Sequence, residues 1–250
     1  MAKGLSLVVG GAVSDSVGGD FSPAFAGEVA RRRRDGGAPS TSFAGPPPLE
    51  IEGRKSTLSE LFAASPRDCG WAGFLLPQVD RSKPVLWVQD RMAILESGRI
   101  HPPGLGQTPI IHVEVRDARA ALWAMEEGLR CAALSAVIGE LWGDPQALDF
   151  TASRRLAVAS ERSGVPCWLV RLGGKANLSG ARMRWRIASA PSLANVLDPR
   201  APGTPAWDAE LFRARGHQPG RWTTAHEAGA FHLVAGAADR TLGEGERLSA

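Results

Sequence analysis

Apolar residues in this chain gather into short unbroken runs separated by polar turns. Residues 84–88 (PVLWV) form one such run, halted at Gln89, Asp90 and Arg91. A continuous apolar stretch of this length predicts a strand buried on both faces, as in a parallel sheet. Residues 110–115, 135–141 (SAVIGEL) and 165–170 (VPCWLV) predict three more. Between them the period lengthens. Asp117 is placed to cap a helix whose apolar positions Ala118, Leu122, Met125, Leu129 and Ala132 share one face, with Glu126 and Arg130 spaced to pair. A second helix is predicted over 151–163, stopping at Gly164 with Pro166 behind it. Upstream, residues 58–76 read as strand, loop and helix. Strands and helices alternating through short connections predict a βαβ succession.

The pattern then changes to period two. Met183, Trp185 and Ile187 alternate with Arg182, Arg184 and Arg186, which predicts an antiparallel strand with one face on a core and one in solvent. Strands over 207–215 and 230–234 are expected next, interrupted by Gly216, Gln218, Pro219 and Gly220. The fold class is therefore α/β: a mostly parallel sheet flanked by helices and extended by C-terminal antiparallel strands. Residues 1–48 are rich in Gly, Ala, Ser and Pro, end in three prolines, and predict a flexible arm. A single domain is expected over 49–236, with 206–236 as its antiparallel extension and a polar, flexible tail over 237–250.

The chain has 250 residues, enough for a proper core, and a net charge of +3. That excess is accounted for by four consecutive arginines at 31–34, so no dedicated basic face is evident. Such a run is ordinarily a solvated part of an arm, though it would add salt-sensitive attraction to DNA. Cys69, Cys131 and Cys167 form no CxxC pair and sit in apolar surroundings, which predicts core thiols in a reducing cytoplasm. No apolar run reaches a membrane span and no cleavable leader is evident, so a soluble cytoplasmic protein is expected. His101, His112, His217, His226 and His232 lack ligand spacing, although His226 and His232 could approach across a hairpin; no metal or cofactor is expected. A GxSxG elbow is absent, and GLGQT (104–108) lacks the third glycine and following helix of a dinucleotide loop.

Five segments in order, LWAMEEGLRCAAL (122–134), AVIGELWGD (136–144), ASRRLAVASERSGVP (152–166), RMRWRIASAPS (182–192) and ELFRARGHQPGRW (210–222), resemble the ImuA family of RecA-like proteins. The resemblance spans about residues 58–234. It implies a RecA-like core and a place in the bacterial SOS response to DNA damage, in an error-prone translesion synthesis mutasome. The implied partners are an ImuB-like Y-family polymerase homologue and a DnaE2-type polymerase, with contact to RecA or self-association as further possibilities. The family is sometimes described as SulA-like, which brings in a cell-division inhibitor as an alternative role.

A RecA-like ATPase needs a Gly-rich loop ending in Gly-Lys-Ser/Thr. The corresponding stretch here is SPRDCGWAG (65–73), in which Trp71 follows Gly70 at the lysine's place and Ala72 replaces the hydroxyl. With Ser65 and Arg67, these residues predict a degenerate nucleotide loop and no enzymatic activity, because phosphoryl transfer depends on positioning and charge. The residue expected to orient water falls at Arg91, with Asp90 adjacent. Glu140 fits the acid that ends the third core strand, although an acid there is commonly structural. A residual ATP-gated DNA binder using Glu140 is the alternative.

Arg171, Lys175, Arg182, Arg184 and Arg186 are candidate DNA contacts, weighed against an ordinary solvated strand face. Trp87, Trp123, Trp142 and Trp168 are expected in the core. Trp207 and Trp222 flank the terminal strands and are candidates for a partner surface.

Overall fold

Runs too short for helices become adjacent parallel strands, and each helix between them folds back over one sheet face. The computed structural model describes residues 7–9, 57–106, 108–195, 197–198, 200–227 and 230–234. Its strands are β1 (Leu7–Val9), β2 (Leu58–Ala63), β3 (Val85–Asp90), β4 (Ile110–Val115), β5 (Ala136–Trp142), β6 (Cys167–Leu172), β7 (Met183–Ala190), β8 (Ala206–Ala214), β9 (Gly220–Glu227) and β10 (Ala230–Val234). They form one sheet in the order β1-β4-β3-β5-β6-β2-β7-β8-β9-β10. Every pairing from β4 across to β7 is parallel. Those from β7 to β10, and of β1 on β4, are antiparallel.

The helices are α1 (Gly70–Leu75), α2 (Arg91–Ser97), α3 (Ala118–Gly128) and α4 (Phe150–Ser163). Alternate strand residues feed two cores. On one face Trp87, Ile138, Trp168, Val170 and Trp185 pack with Trp71 and Phe74 of α1 and Ala93 of α2. On the other, Leu86, Val88, Val137, Leu141 and Leu169 meet Leu122 and Met125 of α3 and Leu156 of α4. Burying each large side chain stabilises the fold by about 1.5–3 kcal/mol before the chain entropy is set against it.

Local chemistry fixes the helix ends. Asp117 accepts from the Ala120 amide at 2.9 Å and Asp149 from the Ala152 amide at 2.7 Å, each removing an otherwise unpaired helical donor. Helix α4 stops at Gly164, whose φ of 77° is the left-handed conformation that a residue with a Cβ resists. Gly139 lets Met125 of α3 lie directly on β5, where a Cβ would collide with the thioether.

Several expectations need correction. The 182–187 stretch is not purely antiparallel: β7 runs parallel to β2 on one side and antiparallel to β8 on the other, joining the two halves of the sheet. Strand β4 is only partly buried; among the described residues the sheet beyond it holds just the short β1. Ala132 lies past the end of α3 and is exposed. Cys69 and Cys131 are also exposed, and only Cys167 is a core thiol. Strand β9 had no counterpart in the sequence reading. Of the arm expected over 1–48, the described part is β1; the rest, like the 237–250 tail, lies outside the described residues. No helix among the described residues is long and apolar enough to cross a membrane.

Candidate functional site

The loop between β2 and α1 is where a nucleotide-binding chain would wrap phosphates. Here Asp68 occupies it. Its carboxylate accepts from the Gly70 amide at 2.8 Å, and from the backbone and hydroxyl of Ser189, at the end of β7, at 2.8 and 2.6 Å. Burial raises the Asp68 carboxyl, but the hydrogen bonds from Ser189 and Gly70 outweigh it and hold the group below its ordinary value. Gly70 has no room for a Cβ, because the Ser189 hydroxyl stands there. A second tie joins the Ser97 hydroxyl to the Pro66 carbonyl at 3.0 Å. Ser65 and Arg67 are exposed on the outside of this loop, and Ala72 is half-buried.

Trp71 points inward and packs on Trp87, with ring centroids 5.9 Å apart. The Trp87 indole N–H donates to Glu140, at the C-terminal part of β5, and the Gln89 amide donates to the same carboxylate at 3.1 Å. Gln89 is saturated: it also donates to the Gly98 carbonyl at 3.2 Å and accepts from the Ile100 amide at 3.1 Å, while His112 Nε2 lies 3.0 Å from its oxygen. Burial pushes the Glu140 carboxyl up to about 7, against the two hydrogen bonds that favour its charge. Burial, assisted by Arg99, keeps His112 below its usual range. Asp90 does not reach this cluster. It caps α2 through the Ala93 amide at 2.6 Å, and Arg91 is an exposed first residue of that helix.

Two of the arginines proposed as DNA contacts are internal. Arg171 is 1% and Arg184 3% exposed. Arg184 Nε donates to Glu60 at 2.7 Å, and Arg171 Nη1 lies 3.9 Å from the same carboxylate, with Asp144 as its other partner. Glu60 also accepts from the Ser179 hydroxyl at 2.7 Å. Both guanidiniums lie over the Phe62 ring, at 5.5 and 5.3 Å, and Arg184 and Arg186 lie over Phe212 at 5.3 and 5.1 Å. Aromatic faces and a shared carboxylate thus replace water around charges that alternation alone places on the outer side. Burial lowers the Arg171 guanidinium, opposed by Glu60 and Asp144. Of the five candidate DNA contacts, Lys175 is exposed, Arg186 is exposed and paired with Glu210, and Arg182 is half-buried and paired with Glu161.

The tryptophans also divide differently from expectation. Trp207 is 6% exposed and lies against Gly73 of α1, so it is a core residue and is not free to anchor a partner. Trp222 is half-buried, 6.3 Å from Trp185. Trp123 is the reverse case, 62% exposed on the outer face of α3, and Trp142 is partly buried. Strand register sets His226 opposite Phe231 and His232 opposite Ala225, so the two histidines are not cross-strand partners.

Sequence reasoning missed Asp68, Ser189, Gln89 and Glu60 as site residues. A glutamate inside the apolar run LSELF was the one available sign of a buried cationic partner.

No protein-family model matches the chain. It is 35% identical over 179 residues to Protein ImuA from two strains of Caulobacter vibrioides, covering 65% of this chain and 70% of each relative. Among solved structures, SulA from Pseudomonas aeruginosa aligns with 46% of this chain and 98% of its own, at 21% identity and a TM-score of 0.38. At that identity and coverage of the Caulobacter relatives, this chain belongs to the ImuA family.

Proposed function

We propose that this protein is a non-catalytic accessory component of a bacterial translesion DNA synthesis mutasome, bridging an ImuB-like partner and a DnaE2-type polymerase. Membership of the ImuA family supports the setting. The observation that carries the non-catalytic part is the Asp68 carboxylate bound to the Gly70 amide, beside a tryptophan in the lysine's place. A phosphate arriving there meets a negative charge where it needs an amide and a cation. Glu140, with its ionisation pushed up to about 7 beneath Trp87, is a poor candidate for holding a cation at neutral pH.

The bridging surface is assigned to the terminal strands β8 to β10, which end the sheet on the side opposite β1. With Trp207 buried, the contact is made by the strand edge rather than by that side chain. A pull-down of the full chain from DNA-damaged cells tests the reading. Recovery of the ImuB-like partner is expected; a folded chain that recovers neither polymerase-type partner contradicts it.

A further inference from the structure

A groove of about 560 Å³ runs between α4, the start of β7 and the end of β8. Arg154 enters it from the helix and Arg182, Arg213 and Arg215 from the strand side, with Phe150 at the head of α4. No acidic residue lines it. Arg182 is held by Glu161 at 2.7 Å, and Glu161 also interacts with Arg215. Among the described residues Arg154, Arg213 and Arg215 make no ion pair, and all three are exposed. Phe150 is 39% exposed.

The walls are fixed. Gly180 presses onto α4, where a Cβ would come within 2.7–2.8 Å of the Arg154 backbone, and its amide donates to the Ser153 hydroxyl at 2.9 Å. The adjoining depression along α4 shares Arg154 and adds Arg130, Arg155 and Arg162, partly offset by Glu126. Gathering unpaired guanidiniums side by side costs mutual repulsion that an anion would relieve. Arg162, which makes no ion pair among the described residues, extends the unpaired set along the helix, and that extension fits a polyanion rather than a single small anion. An exposed aromatic ring at one end adds what a base requires and a carboxylate side chain does not.

The geometry points to a binding groove for single-stranded DNA along the outer flank of α4, with Arg154, Arg213 and Arg215 on successive phosphates and Phe150 stacking on a base. This set differs from the arginines first considered as DNA contacts, of which Arg184 of β7 and Arg171 of β6 are spent internally on Glu60 and Asp144. It is separable from the partner-bridging reading, since the groove lies between α4 and the end of β8 whereas the bridging contact is at the outer strand edge.

The test is fluorescence anisotropy of a labelled oligothymidine with the full chain, repeated over a salt series. Each lost phosphate contact lowers the slope of log affinity against log salt by roughly 0.7, so Arg154→Ala with Arg213→Ala lowers it by about 1.4. Phe150→Ala weakens binding about fivefold or more. Arg215→Glu, on an exposed side chain, is a second charge variant should Arg154→Ala disturb the helix. Competition by polyglutamate separates an acidic peptide from nucleic acid. No binding by the wild-type chain, binding unchanged by the groove variants, or binding abolished by polyglutamate and indifferent to Phe150→Ala each overturns the proposal.

Discussion

Replacing Glu60 by leucine isolates the most loaded polar contact in the protein. The Glu60 side chain is 1% exposed and serves Arg184, Arg171 and Ser179 together. Arg184 already has an Nη2 atom without a hydrogen-bond partner, and Arg171 leaves both Nε and Nη1 so. Removing the carboxylate therefore strands a guanidinium with only the Phe62 and Phe212 rings for company. Breaking a buried pair in this way costs about 3–5 kcal/mol, a large part of a typical stability of about 5–15 kcal/mol. For a domain of this size that lowers Tm by roughly 6–20 °C. Arg171 retains Asp144, so the loss is concentrated on Arg184. Glu60→Leu combined with Arg184→Met removes both charges and recovers much of the loss, because apolar residues of similar volume replace an ion pair at little cost. Differential scanning calorimetry on wild type, both single variants and the double variant forms the cycle. A Glu60→Leu shift below about 2 °C, or a double variant less stable than either single one, refutes the account of this cluster.

Burial raises the Glu140 carboxyl from its ordinary 4.5 to about 7, so its favourable contribution is complete below pH 4.5 and lost as pH rises to 7. Relative to Glu140→Gln, the wild type loses about 3 kcal/mol over that window in urea titrations; parallel pH profiles would contradict the burial argument. Asp117→Ala removes the cap of α3 and lowers stability by about 0.5–2 kcal/mol in the same assay, whereas no change would mean the Ala120 amide finds another acceptor. Trp71→Ala empties the space beside Trp87 at a cost of about 3–5 kcal/mol and leaves nucleotide affinity unimproved, since the lysine is still missing; a loss under 1 kcal/mol would place the ring outside the core.

The central strands and the two long helices were legible because each carries its own signal. PVLWV and VPCWLV are apolar on both faces because helices cover both faces, and Asp117 and Gly164 mark helix ends by local hydrogen bonding and backbone conformation, whereas the Asp149 cap emerged only from the structure. The spacing of Leu122, Met125 and Leu129 also contained the answer for Trp123, which is off that face and in solvent. Strand β9 was hidden by polar residues: in RWTTAHE the two apolar residues, Trp222 and Ala225, are three apart and fall on opposite faces, so no period-two pattern stands out beside Pro219 and Gly220. Arg171 and Arg184 were misplaced for a different reason. For Arg184, period two says which residues share a face, not whether that face is wet, and here Phe62, Phe212 and Ser179 arrive from three other segments to cover it; Arg171 follows a strand expected to end at Val170 that in fact runs on to Leu172. The Asp68 tie to Ser189 spans 121 residues and has no local signature.

A protein of this kind without nucleotide chemistry requires the loop at Asp68 and Trp71 to be closed to nucleotide. Isothermal titration of the full chain with a non-hydrolysable ATP analogue and magnesium measures this directly. No heat of binding through millimolar analogue is the result expected; a micromolar Kd would contradict the silent-site reading and make this chain a nucleotide-dependent protein.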